Sequence, residues 1–174
     1  MSNPKLEVLT PQNSQLIVID HQPQMAFGVQ SIDRQTLKNN VVALAKAAKA
    51  FNIPTTITTV ESQSFSGYSY PELLDVFPDK AVLERTSMNS WDDQKVRDAL
   101  KANKRNKVIV AGLWTEVCNN TFAALARPTT LFFSVWRSID WTPNAICGWW
   151  SMKMTCEFCG VRTSSFGLVM RNLF

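Results

Sequence analysis

The chain has 174 residues, 45% of them apolar and 18% charged, with a formal net charge of +4. That is enough for one domain with a core that needs no disulfide staples, and no apolar run is long enough to span a membrane. The charge is too small, and too scattered, for the basic stripe of a nucleic-acid binder. The densest basic stretch is Lys101, Lys104, Arg105 and Lys107. It falls at the end of a predicted helix, where solvated cations complement the helix dipole. The polar opening from Met1 to Glu7 reads as no signal peptide. The four cysteines read as free thiols in a reducing, cytoplasmic compartment.

Leu16-Ile17-Val18-Ile19 is a short continuous apolar run ending in Asp20, the pattern of a strand buried on both faces of a parallel sheet. Thr36 to Phe51 has apolar residues at Leu37, Val41, Leu44, Ala45 and Ala48. That is helical spacing, and Asn52 with Pro54 ends the helix. Thr55 to Val60 is β-branched throughout and predicts a second strand. A loop rich in Ser, Gly, Tyr and Pro follows. A short helix is expected over Pro71–Phe77 and a short strand at Ala81–Leu83.

Trp91 to Asn103 predicts another helix, capped by Ser90 or Asp92, with Val96, Ala99 and Leu100 facing inward. Lys107 to Gly112 is the strongest strand signal in the chain, and a small-residue helix is expected over Asn119–Ala126. Strands alternating with helices imply βαβ units and a mainly parallel sheet. The fold class is α/β, a three-layer α/β/α sandwich, with an atypical C-terminal part.

Ligands of such sheets bind at the carboxyl ends of the strands. Asp20, Arg85 and Cys118 all fall at or near such ends. A thiol needs something to take its proton before it can act as a nucleophile. Asp20 can accept that proton and return it to a leaving amine. Arg85 stays charged and would stabilise both the thiolate and the carboxylate. A helix N-terminus at Cys118 would lower the thiol further and offer backbone N–H groups as an oxyanion hole. Each residue also has a plain structural reading: Asp20 as a turn residue, Arg85 as a solvated side chain, Cys118 as a small buried hydrophobe.

Leu16-Ile-Val-Ile-Asp-His-Gln22, Glu84-Arg-Thr-Ser-Met-Asn-Ser-Trp-Asp-Asp93 and Ala111-Gly-Leu-Trp-Thr-Glu-Val-Cys118 resemble the three signature stretches of the isochorismatase-like hydrolases. Among these they are most similar to the YcaC-type cysteine hydrolases. The likeness runs from about Val8 to Ala126. It implies a catalytic triad of Asp20, a basic residue and Cys118. The basic position is commonly Lys in the wider family and is Arg85 here, which cannot shuttle a proton. It also implies a non-proline cis peptide at Leu113–Trp114. That bond would aim the N–H of Trp114, with that of Cys118, at a substrate carbonyl; Thr115 belongs to the same stretch. Gln22 matches a supporting polar pocket residue.

No cofactor or metal is expected. The zinc-binding relatives use an Asp-x-His pair with a further His, and this chain has one histidine, His21, which strand alternation would turn away from Asp20. Cys156 and Cys159 form a CxxC without a second pair and read as incidental thiols. From 127 to 174 the character changes, with Trp136, Trp141, Trp149 and Trp150 but only Asp140 and Glu157 as acids. This tail reads as diverged or frame-shifted sequence. The expected function is cleavage of a C–N bond in a small amide, with a small-molecule substrate, no nucleic acid or membrane partner, and a homo-oligomeric state. The alternative is a catalytically impaired, family-shaped binding or assembly protein.

Overall fold

The computed structural model describes residues 9–29, 32–114 and 117–118. The helix expected at Asn119–Ala126, Thr115 and the whole 127–174 tail lie outside the described residues.

Four strands form one sheet: β1 (Ser14–Ile19), β2 (Thr55–Val60), β3 (Leu83–Arg85) and β4 (Lys107–Gly112). Their order is β3-β2-β1-β4 and every pairing is parallel. β1 is central, so its register fixes the sheet: Ile17 lies opposite Thr56 on one side and Val110 on the other. Its flanks are both occupied and its faces both covered, which is why Leu16–Ile19 is apolar without alternation. Burying those four side chains, each almost wholly inaccessible, contributes about 6–12 kcal/mol. That exceeds any single polar interaction described below, so the sheet survives changes at its edge.

Alternation along the strands divides the core into two layers. Leu16, Val18, Ile57 and Ala111 face α1 (Arg34–Ala50), which buries Leu37, Val41, Ala45 and Ala48. Ile17, Ile19, Val108 and Val110 face α3 (Gln94–Ala102), which buries Val96 and Leu100. Helices on both faces of a parallel sheet make the three-layer α/β architecture that the alternation of elements implied. Asp33 caps α1 by accepting from the Thr36 N–H at 2.8 Å. The helix ends where Asn52 turns left-handed, with φ of 55°.

Three boundaries differ from the sequence reading. β3 lies at Leu83–Arg85, two residues beyond Ala81–Leu83, because Val60 pairs with Arg85 and pulls the register forward. The short helix α2 spans Pro71–Leu74 and stops in turns before Phe77. The Trp91–Asn103 helix is broken: Ser90–Asp92 form a 3-10 turn capped by Asn89, and α3 starts after Asp93, whose carboxylate accepts from Lys95 and Val96. Two Asx caps in succession outcompete one continuous helix.

Gln22 joins the sheet to its loops. Its amide oxygen accepts from the Val60 N–H at 3.1 Å, and its amide nitrogen donates to the carbonyls of Val60, at 3.0 Å, and Gly67. A primary amide offers the donor and acceptor pair that a neighbouring strand would. Gly67 has φ of 68°, and the Gln24 amide occupies the space its Cβ would need. Gln22→Ala takes this partner from the buried Val60 N–H and carbonyl and from the half-buried Gly67 carbonyl, and should cost about 3 kcal/mol. Urea unfolding of Gln22→Ala checks this, and a loss under about 1 kcal/mol would show that water replaces the amide freely.

Candidate active site

The chain runs from β1 to β2 to β3 on one side of the sheet and returns to β4 on the other. The crevice outside the carboxyl ends of β1 and β4 is therefore the topological switch point, where open parallel sheets bind ligands. Asp20 immediately follows β1, and Cys118 lies six residues beyond the end of β4.

Asp20 leaves the strand in a left-handed conformation, φ 54°, a shape that costs most residues energy. Its N–H donates to the Thr58 carbonyl at 3.1 Å, and its own carbonyl accepts from the Gln22 N–H at 2.8 Å. The turn is thus held from both sides. It also means that strand alternation stops at Ile19 and cannot fix where His21 points.

Arg85 ends β3 and is buried, only 3% exposed, rather than solvated. One guanidinium nitrogen donates to the Asp20 carboxylate and another to the Ser87 carbonyl. Thr58 Oγ1 adds a longer bond, 3.3 Å, to the other Asp20 oxygen. Burial pushes the Asp20 carboxyl up to about 6, against the pull of Arg85 and Thr58 in the other direction. At neutral pH it is a carboxylate with unusual affinity for a proton, which suits a general base.

Cys118 is buried among Ile19, Val96, Leu100, Val108 and Val110. Burial, then the nearby Asp20 carboxylate, push its thiol up to about 12, and Arg85 offsets this only in part. The expectation that dipole and guanidinium would give a resting thiolate is therefore corrected: burial dominates, and the Asp20 carboxylate outweighs Arg85 at the sulfur. The implied cis peptide is also corrected. No cis bond occurs among the described residues, and Leu113–Trp114 is trans. The trans form is favoured by about 2.5–4 kcal/mol, and in it the Trp114 carbonyl accepts from the Cys118 N–H at 2.7 Å. That N–H is engaged in the resting chain. The Leu113 side chain is buried in the α1-facing core, and Gln22 is spent on β2 and its loop, as described.

Sequence reasoning set His21 aside as turned away from Asp20 and gave it no role. It is completely buried, and neither ring nitrogen makes a hydrogen bond of good geometry among the described residues. Burial holds the imidazole neutral, down at about 4, against a weak opposing pull from the Ala111 backbone. The signal that could have found it is its place two residues past a fully buried strand.

Asp20 and His21 act oppositely on stability. Asp20 titrates near 6 when folded and at its ordinary 3.8 otherwise, so the folded chain holds an extra proton across that window and stability falls as pH rises. His21 titrates near 4 when folded and at 6.5 otherwise, so the folded chain holds fewer protons and stability rises with pH. Each effect is on the order of 3 kcal/mol, and together they nearly cancel. Between about pH 4.5 and 6.5, Asp20→Asn should gain stability and His21→Gln should lose it, with wild type flatter than both. Denaturant titrations at both pH values check this; three parallel trends would refute it.

Residues 14–127 match the family model described as the isochorismatase domain. The chain is 37% identical over 111 residues to the probable hydrolase YcaC of Escherichia coli, a match covering 63% of this chain and 53% of that protein. The chain thus spans about half the length of that relative. Its fold matches the Escherichia coli YcaC structure, an octameric hydrolase of unknown specificity, with TM-score 0.78 and 29% identity over 92% of this chain and 78% of that one. It also matches YcaC from Pseudomonas aeruginosa with hexane-2,5-diol and covalent acrylamide, with TM-score 0.74 and 26% identity over 89% and 78% of the two chains. The family match includes Asp20, Arg85 and Cys118, and with the parallel sheet that carries them it shows that this chain belongs to the isochorismatase family.

Proposed function

We propose that the chain is a cysteine hydrolase cleaving a C–N bond of a small amide, with Cys118 as nucleophile, Asp20 as proton acceptor and donor, and Arg85 as the fixed charge beside Asp20. The observation that carries this reading is the buried Asp20–Arg85 pair at the switch point, close enough to Cys118 for both charges to act on its thiol. Because the thiol titrates far above Asp20, the resting site is thiol plus carboxylate. Proton transfer therefore accompanies attack rather than preceding it.

The sulfur bonds to the amide carbonyl carbon while its proton passes to Asp20. The tetrahedral oxyanion is held by backbone N–H groups between Leu113 and Cys118, those of Trp114 and Thr115 included. The Cys118 N–H joins them by exchanging its Trp114 carbonyl for the oxyanion. The C–N bond breaks, the amine takes the proton from Asp20, and a thioester remains. Water then attacks the thioester with Asp20 as base, releasing the acid and restoring the thiol. Gln22 positions the loop after β2.

The Pseudomonas aeruginosa relative was crystallised with covalent acrylamide, an electrophile that thiolates attack. That supports a nucleophile in this family. The octameric Escherichia coli relative supports self-association here, and a cytoplasmic, reducing setting would keep the nucleophile free. A panel of small amides with mass-spectrometric trapping of acyl-Cys118 tests the reading.

The high thiol pKa favours a second reading, a family-shaped binding protein without turnover. Amides that bind but never leave an acyl group on Cys118 would establish it.

A further inference from the structure

Three loops at the carboxyl edge of the sheet carry large aromatic side chains that touch one another. Trp114 follows β4, and its carbonyl holds the Cys118 N–H. Phe27 lies in the 3-10 turn Pro23–Gly28 after β1, and its ring meets the Trp114 indole edge-to-face, centroids 5.9 Å apart at 77°. Phe65 lies in the loop after β2 and meets Phe27 at 6.4 Å and 73°. Gly28 lets the indole come close, since a Cβ there would stand 3.1 Å from its ring. The indole N–H is itself buried, and among the described residues it has no hydrogen-bond partner.

The outer rings are not core. Phe27 is 58% exposed and Phe65 69%, yet the loop bearing Phe65 is fastened to β1 and β2 by the buried Gln22 amide. A rigid mount under exposed rings costs hydration free energy unless something apolar covers them. The row begins at Trp114, whose carbonyl accepts from the candidate nucleophile's own N–H and whose side chain packs against the cluster that holds Cys118.

We propose that Trp114, Phe27 and Phe65 form one aromatic wall leading to Cys118, which selects amides carrying a planar apolar group and discriminates against short aliphatic ones. The proposal rests on the hydrolase reading for the word amide but not for the wall. Offset and edge-to-face ring contacts give the wall its preference.

The test uses the full chain with Cys118→Ala, so that binding is measured without chemistry, and phenylacetamide against acetamide as probes in calorimetric titration. Phenylacetamide should bind about tenfold or more tightly than acetamide, and Phe27→Ser should remove most of that difference. Phe27→Leu should retain part of it, because area persists without the ring. Equal affinities, no binding of phenylacetamide, or a preference untouched in both Phe27→Ser and Phe65→Ser would overturn the wall. So would a fall in light-scattering mass in Phe27→Ser with the preference intact, since the rings would then cover another copy of the chain. A preserved preference with no acyl-Cys118 formed by wild type would instead remove the hydrolase reading and leave the wall standing.

Discussion

Cys118→Ala should lose amide hydrolysis by about a thousandfold or more while keeping its fold, because removing a nucleophile removes the covalent route altogether. The substitution deletes one sulfur from a layer formed by Ile19, Val96, Leu100, Val108 and Val110, at a cost of about 1 kcal/mol. Circular dichroism and unfolding should therefore be close to wild type. Cys118→Ser is the sharper comparison, since it preserves shape and hydrogen bonding but not nucleophilicity. Either variant keeping more than about a tenth of the wild-type rate would exclude Cys118 as the attacking group.

The second large effect is expected at Arg85. Replacing it by Gln strands the Asp20 carboxylate in a buried site, and breaking such a pair costs about 3–5 kcal/mol. The loss is expected at neutral pH and should shrink toward pH 5, where Asp20 takes a proton and no longer needs a cation. With the guanidinium gone, the Asp20 pKa rises beyond its present value of about 6, so a larger share of the base is protonated as pH falls from neutral. Alkylation of Cys118 should slow and its pH profile should move upward. Arg85→Lys keeps the charge and should preserve most of both properties, losing the second bond to the Ser87 carbonyl. The pair Asp20→Asn with Arg85→Gln should recover part of the stability that Arg85→Gln alone loses, because each partner's penalty arises from the other's charge. Superimposable alkylation profiles for wild type and Arg85→Gln would remove Arg85 from the site.

The strands were legible because burial on both faces writes itself into composition. Leu16–Ile19 and Thr55–Val60 have no room for a charged side chain, and β2 occupies the residues its β-branched run indicated. α1 was equally plain from Leu37, Val41, Ala45 and Ala48. What escaped was set by partners far away in sequence. β3 slid forward because of its pairing with β2, a contact invisible within Ala81–Arg85 itself. Asp93 rather than Ser90 or Asp92 starts α3, since cap-forming residues this close together cannot be ranked without the geometry. At the site, proximity was readable from strand ends, but protonation was not. The thiol's high pKa follows from burial and from the Asp20 carboxylate, which Arg85 offsets only in part, and these are properties of the assembled crevice.

The left-handed backbone at Asp20 narrows what position 20 can be. At φ 54° the residues that fit cheaply are glycine, asparagine and aspartate. The crevice separately demands an ionisable acid whose carboxylate reaches Arg85 from the strand end. Those two short lists share one member. Glutamate satisfies the charge and misses the backbone, and asparagine satisfies the backbone and lacks the proton affinity. The residue is thus specified twice over, by two requirements that have nothing to do with each other, and a one-letter change of either kind leaves the chain with half of what the position supplies.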